Sequence, residues 1–360
     1  MGEIKLMKGN EAIAEAAIRA GVDAYFGYPI TPQSEVIEYL MAEKPYERTG
    51  MVVLQAESEV AAINMVYGAA ATGKRAMTSS SSPGISLKQE GISYMAGAEL
   101  PGVIVNVVRG GPGLGTIQPS QADYFQATKG GGHGDYRLLV LAPSSVQEMA
   151  DFVSLAFELT FKYRNPVMIL SDGVIGQMME KVELPEQQKR RTDEEVIAEC
   201  PWATTGKPTT RERNIITSLD LDPSKQEKHN HHLQAKYRKI QENEVRFETF
   251  NTEDAEYLYV AYGSSARIAQ KSMQLARAKG IRAGLLRPIT LFPFPTDEVA
   301  RLAKQVKAML AVEMSAGQMV EDVRLAVAGK VPVEHYGRMG GMVPSPEEIV
   351  TALEKTFIGG

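Results

Sequence analysis

The sequence predicts an α/β fold with parallel sheets in two unequal domains. Three observations lead there. Short apolar, strand-like runs alternate with helical patterns through residues 1–185; a polar, charged stretch follows at 186–250; the alternation resumes over 251–360. Strands separated by helices form βαβ units, and these assemble into parallel sheets. A length of 360 residues suits two domains.

In chain order, strands are expected at 24–27, 51–55, 75–78, 103–108, 138–141 and 167–171, with helices at 9–20, 33–42 and 145–161 among the segments between them. Segments such as QQKRRTDEEV and LDLDPSKQEKHNHH then offer too few apolar side chains to offset ordering entropy. Residues 186–250 are therefore expected to be a polar linker without a packed core. It carries one helix, 225–247, with a thin apolar stripe of Leu233, Tyr237 and Ile240. In the last part, EYLYVAYGS reads as a strand ending in a turn and 266–279 as a helix. Strands at 284–287, 308–313 and 331–335 complete a second, smaller sheet, while Pro288, Pro293 and Pro295 break ITLFPFP.

Composition narrows the function classes. The net charge is -5, with no basic footprint for nucleic acid. No apolar run approaches the roughly 18 residues of a membrane span, and the N-terminus lacks the apolar region of a signal peptide. A cytoplasmic protein is expected. The single cysteine, Cys200, excludes an internal disulfide, a cysteine-rich zinc site and an iron–sulfur cluster held by this chain alone. Dinucleotide, P-loop, GxSxG and HExxH patterns are absent.

Several stretches remain that could carry chemistry. GYPITPQSEV brackets Thr31 with two prolines at the end of an apolar run, which suits either a tight turn or a reactive site. AESEVAAINMVYGAAATG reads as a buried helix with an acidic start. Glu59 shares its face with Ala62, Ile63 and Val66, whereas Glu57 lies on another face. Both are first-turn helix acids, or Glu59 is a carboxyl of raised pKa that exchanges a proton with a ligand. SSSSPGIS joins a strand to a helix, with Ser82 as N-cap and Pro83 at N1, as a capped helix or an anion-binding turn. Arg109 ends the VIVNVV strand and opens the glycine-rich GGPGLG, where parallel sheets bind ligands and arginine pairs with carboxylates. His133 in GGGHGDYR is a ligand contact or part of a turn, and His229 and His232 stand at metal-compatible i,i+3 spacing without a completing ligand.

Together, YPITP, the SE-x-AA helix, Arg109 with GGPGLGTIQPSQ, GGGHGD-xx-LLVLAP, GSSARIA, LRPITLFPFP and VEMSAGQM resemble the alpha subunit of 2-oxoacid:ferredoxin oxidoreductases. The branched-chain (2-oxoisovalerate) type is the nearer likeness and the 2-oxoglutarate type the next. The resemblance implies a pyrimidine-type thiamine diphosphate-binding domain at 1–185, the linker at 186–250, and a transketolase C-terminal-like domain at 251–360. It implies CoA-dependent oxidative decarboxylation of a 2-oxoacid, with electrons passed to ferredoxin.

By the same resemblance, Glu59 contacts the aminopyrimidine N1′, with Glu57 the second choice, and Pro29, Ile30, Ser82 and Gly84 border the cofactor. Thr31 and Arg109 then meet the 2-oxoacid carboxylate or carbonyl. Ser82 stands where the family's SGPG turn has glycine. The Mg2+-binding GDG motif is also missing, because Ser171 precedes Asp172-Gly173. A beta subunit is accordingly expected to hold the diphosphate, Mg2+ and a 4Fe-4S cluster, with gamma and ferredoxin-like delta subunits beside it and this chain inactive alone. Two other readings stand against this one: a noncatalytic thiamine-fold assembly subunit, and a self-sufficient thiamine enzyme of another class.

Overall fold

The computed structural model describes residues 3–207, 209 and 211–359. Its larger sheet has seven strands in the spatial order Thr290–Phe292, Leu139–Leu141, Val167–Asp172, Val103–Val108, Ala76–Ser80, Ala24–Gly27, Val52–Gln55. Six run parallel; only Thr290–Phe292 is antiparallel, on the edge of Leu139–Leu141. Every residue of VIVNVV and of AMTSS is buried, so helices cover both faces of the sheet's centre. Gly9–Arg19 packs along Val146–Tyr163, and Glu59–Ala71 along Ser82–Gly97.

The smaller sheet runs Val333–Gly337, Ala308–Glu313, Tyr257–Ala261, Ala283–Pro288, Phe247–Phe250, with the last strand antiparallel. Helices Gly263–Ala278 and Pro346–Leu353 pack together beside it. A third, two-stranded ribbon pairs Glu3–Lys8 with Met179–Leu184. This ribbon was not expected. EIKLMK and MEKVEL intersperse charges with apolar residues and leave much of both strands exposed, so neither reads as a core strand.

The polar middle segment differs from expectation. Its main helix, Pro223–Asn243, buries Leu233, Tyr237 and Ile240 in the core of the larger domain. The stripe needs no core of its own, because the first domain supplies the opposing surface. Polar ties complete the docking: His229 Nε2 lies 2.7 Å from the Gly97 carbonyl, His232 Nε2 lies 3.1 Å from Glu99, and Lys236 donates to Glu99 at 3.2 Å. The histidine pair is thus engaged in holding the helix. The last four residues of the expected linker, Phe247–Phe250, form the edge of the second sheet. Pro208 and Thr210, within the same segment, lie outside the described residues.

Side chains lock the two domains together. Gln121 Nε2 donates to the Tyr262 carbonyl at 2.9 Å, while its Oε1 accepts from Ser265 Oγ at 2.6 Å and from the Met314 N–H at 3.0 Å. Asp172 caps the short helix Gly173–Gln177 and accepts from Ser264 Oγ at 2.6 Å. Burial holds the Asp172 carboxyl above the usual carboxylate range. In this structure that carboxylate serves the domain joint and the helix cap.

Candidate functional site

The residues singled out above gather at the carboxyl ends of the parallel strands, where open α/β sheets place their ligands. The Ala24–Gly27 strand leads into the Thr31 turn, Ala76–Ser80 into Ser81 and Ser82, and Val103–Val108 into Arg109.

Thr31 is exposed, and the turn that carries it is pinned from below. Gln33, fully buried, donates its Nε2 to the Tyr28 carbonyl at 3.1 Å and its backbone N–H to the Ile30 carbonyl at 3.0 Å. The Pro32 carbonyl accepts from Asn10 at 2.7 Å and from Gln177 at 3.0 Å. Pro29 is exposed and Ile30 partly so. The Thr31–Pro32 peptide is cis. Prolines alone suggested the stiffness; the amide side chains of Asn10, Gln33 and Gln177 supply much of it. Nothing in the local sequence marks them for that task.

Arg109 is buried at 8% exposure. Its guanidinium donates to the Thr31 carbonyl at 2.9 Å and to the Leu114 carbonyl at 3.0 Å, and its Nε has no hydrogen-bond partner among the described residues. The backbone of Arg109 is tied as well: its N–H donates to Ser82 Oγ at 3.1 Å, and that hydroxyl lies 3.2 Å from the Arg109 carbonyl. Ser82 was expected to cap the next helix. Ser81 occupies the cap position instead, and the Ser82 hydroxyl turns toward Arg109 and Asp123. Asp123, which sequence reasoning passed over, accepts from Asn106 at 2.9 Å and from Ser82, and its burial raises its pKa above the ordinary value.

Glu59 begins the Glu59–Ala71 helix, after Ser58, whose hydroxyl accepts from the Ala61 N–H at 3.2 Å. The Glu59 side chain is only 7% exposed, yet it makes no hydrogen bond or ion pair among the described residues. Gly84 lies against it: a Cβ at that glycine would stand 2.7 Å from Glu59 Oε1 and 2.1 Å from Ser80 Oγ. Ser80 Oγ and Ser81 Oγ are buried and have no hydrogen-bond partner among the described residues. A sheltered carboxylate, two unpaired hydroxyls and a notch without a side chain make a cradle for a flat polar group. Glu57 is exposed. Beneath the cradle, Lys88 is fully buried and donates to Thr78 Oγ1 at 2.6 Å and to the Ser79 carbonyl at 3.1 Å. It too escaped sequence reasoning, since a lysine in a helix reads as solvated.

His133 is exposed and stands edge-on to Tyr94, with ring centroids 6.1 Å apart. It borders a cavity of about 540 Å³ with Tyr67, Ile216, Leu219 and Asn230, away from Glu59, Thr31 and Arg109.

Residues 15–248 match the family described as "Pyruvate flavodoxin/ferredoxin oxidoreductase, thiamine diP-bdg", and residues 255–349 match "Pyruvate:ferredoxin oxidoreductase core domain II". The chain is 55% identical to the ketoisovalerate oxidoreductase subunit VorB of Methanothermobacter thermautotrophicus, covering 98% of this chain and 97% of that one. It is 38% identical to the 2-oxoglutarate synthase subunit KorA of the same organism, over 99% of each chain. Among solved structures, the 2-oxoglutarate:ferredoxin oxidoreductase from Magnetococcus marinus, with 2-oxoglutarate, coenzyme A and succinyl-CoA bound, superposes at a TM-score of 0.85 with 28% identity. The match covers 98% of this chain and 65% of that longer one. A split-gene transketolase, 14% identical, shares the fold at a TM-score of 0.61 over 98% of both chains.

Proposed function

The chain belongs to the thiamine diphosphate-dependent 2-oxoacid:ferredoxin oxidoreductases, and on that premise we propose that it is the alpha subunit of a branched-chain (ketoisovalerate-type) enzyme. In this reading the complex oxidatively decarboxylates a branched 2-oxoacid, forms its acyl-CoA and delivers electrons to ferredoxin. The observation that carries the site assignment is Glu59, a nearly buried carboxylate with no hydrogen bond or ion pair among the described residues, set against the Gly84 notch. Identity of 55% to the ketoisovalerate subunit, against 38% to the 2-oxoglutarate one, favours the branched substrate. So do Leu114 and Ile117, both exposed on the loop that Arg109 anchors.

Thiamine diphosphate, when bound, supplies the electron sink for decarboxylation. Glu59 would share a proton with the aminopyrimidine N1′, the exchange a sheltered carboxyl suits. Gly84 leaves that approach open, and Pro29, Ile30 and Ser82 would border the same cofactor. Thr31 would offer its hydroxyl to the carboxylate or carbonyl of the 2-oxoacid. Arg109 would neutralise that carboxylate. As a subunit of a multi-subunit oxidoreductase, the chain works with partner subunits. We assign the diphosphate, Mg2+ and a 4Fe-4S cluster to a beta subunit, with gamma and ferredoxin-like delta subunits completing the electron path.

The test is co-expression with these partners, followed by viologen or ferredoxin reduction with CoA across several 2-oxoacids. The highest kcat/KM is expected with 2-oxoisovalerate. A preference for 2-oxoglutarate would replace the substrate assignment, and no reduction with any 2-oxoacid by a cofactor-loaded complex would overturn the activity.

A further inference from the structure

Lys88 has no solvent exposure, and its hydrogen-bond partners are two neutral oxygens, Thr78 Oγ1 and the Ser79 carbonyl. A buried ammonium is costly unless an anion acts on it. Gly84 and Lys88 are four residues apart on the Ser82–Gly97 helix and therefore share a face. Helical side chains lean toward the N-terminus, so Lys88 reaches back toward the Gly84 turn, where Gly84 touches Glu59. Glu59 is the charged side chain whose field acts on Lys88. The groups hydrogen-bonded around it carry no charge: Thr78 and Ser79 on the strand beneath, the Tyr25 phenol on the neighbouring strand, and the Gln33 amide. Burial lowers the pKa of the Lys88 ammonium to about 7, and the Glu59 charge opposes that fall.

A second route leads from the same ammonium to the Thr31 turn. The Ser79 carbonyl accepts from Lys88, while the Ser79 hydroxyl donates to Gln33 Oε1 at 2.5 Å and lies 2.6 Å from the Tyr25 hydroxyl. Gln33 in turn holds the Tyr28 and Ile30 carbonyls.

We propose that Lys88 is a positioning residue for both ends of the site: its buried ammonium is the countercharge to Glu59 at the pyrimidine end and, through Ser79 and Gln33, sets the Thr31 turn at the substrate end. The first half rests on the reading of Glu59 as the cofactor-facing carboxyl. Removing the ammonium leaves the sheltered Glu59 without that countercharge.

The test uses the reconstituted complex with Lys88→Gln, which keeps amide donors without the charge, and Lys88→Met, which removes both. At the pyrimidine end, the Lys88 signal read by carbon NMR at Cε in the cofactor-free complex should titrate at lower pH in Glu59→Gln than in the wild type, and an unchanged midpoint overturns the proposal. For the substrate end, Lys88→Met is expected to raise the 2-oxoacid KM severalfold more than Lys88→Gln, and equal KM values remove that half. Unchanged thiamine diphosphate affinity in Glu59→Gln would instead overturn the reading of Glu59 as cofactor-facing, while the Lys88–Glu59 coupling stood.

Discussion

The Arg109 guanidinium donates to the carbonyl oxygen of Thr31 at 2.9 Å, across 78 residues of chain. The same side chain holds the Leu114 carbonyl at 3.0 Å, so one planar fork fixes the turn on one side and the glycine-rich loop on the other.

Replacing Arg109 with alanine is therefore expected to loosen both loops and remove the cation from the substrate end. Turnover by the reconstituted complex should fall by roughly 100-fold or more, with a raised KM for the 2-oxoacid. Arg109→Lys restores charge without the fork and should recover only a minor part. Full recovery with lysine would mean that charge alone matters, and unchanged kinetics in Arg109→Ala would remove Arg109 from the site.

Gly84→Ala tests the notch. The added methyl would meet Ser80 Oγ and the Glu59 carboxylate at distances that force one of them to move. The fold should survive, since the clash is with two side chains. Thiamine diphosphate affinity of the complex should drop by about tenfold or more, the scale of one lost charge-assisted contact. Titration of the cofactor alongside a thermal melt separates these effects; full affinity with an unchanged melt would show the notch to be dispensable.

Lys88 makes stability depend on pH in a definite direction. Its folded pKa is lowered to about 7 from its ordinary value of 10.5. Between those values the unfolded chain binds more protons than the folded one, so stability rises with pH through this window. The slope from this group is at most about 1.4 kcal/mol per pH unit. Urea unfolding of wild type and Lys88→Met from pH 6 to 10 should differ by that slope, with the wild type gaining on the variant as pH rises. Parallel curves would mean that Lys88 titrates at the same pH folded and unfolded.

Gln121 is the hinge pin of the domain joint, and Gln121→Ala should cost about 2–4 kcal/mol. The cost arises because the buried Ser265 hydroxyl and the Met314 N–H each lose an acceptor. Denaturant titration measures it; a loss below about 0.5 kcal/mol would mean that water replaces the amide without penalty.

The central strands were legible in the sequence because both of their faces are buried, which leaves nearly continuous apolar runs such as VIVNVV, broken only by Asn106. Thr31, Glu59 and Arg109 stood out as candidates for a related reason: each stands just past such a run or at the head of an apolar helix, where a polar residue is conspicuous. Lys88, Gln33 and Asp123 were not. A single polar residue in a helical or turn pattern reads as a solvated one until the fold closes over it. The Leu233 stripe was underestimated because its packing partner lies in another part of the chain. Thr290–Phe292 was hidden by the prolines that flank it.

That last strand has a consequence for synthesis. Residues 290–292 belong by position to the second half of the chain, but they seal the Leu139–Leu141 edge of the first sheet. A nascent chain leaving the ribosome exposes that edge until residue 292 has emerged, while the rest of the sheet is already available to pair. The two halves therefore cannot be severed by gene fission between residues 250 and 290 without leaving an open edge, so a breakpoint there would yield a sticky fragment in place of a free-standing domain.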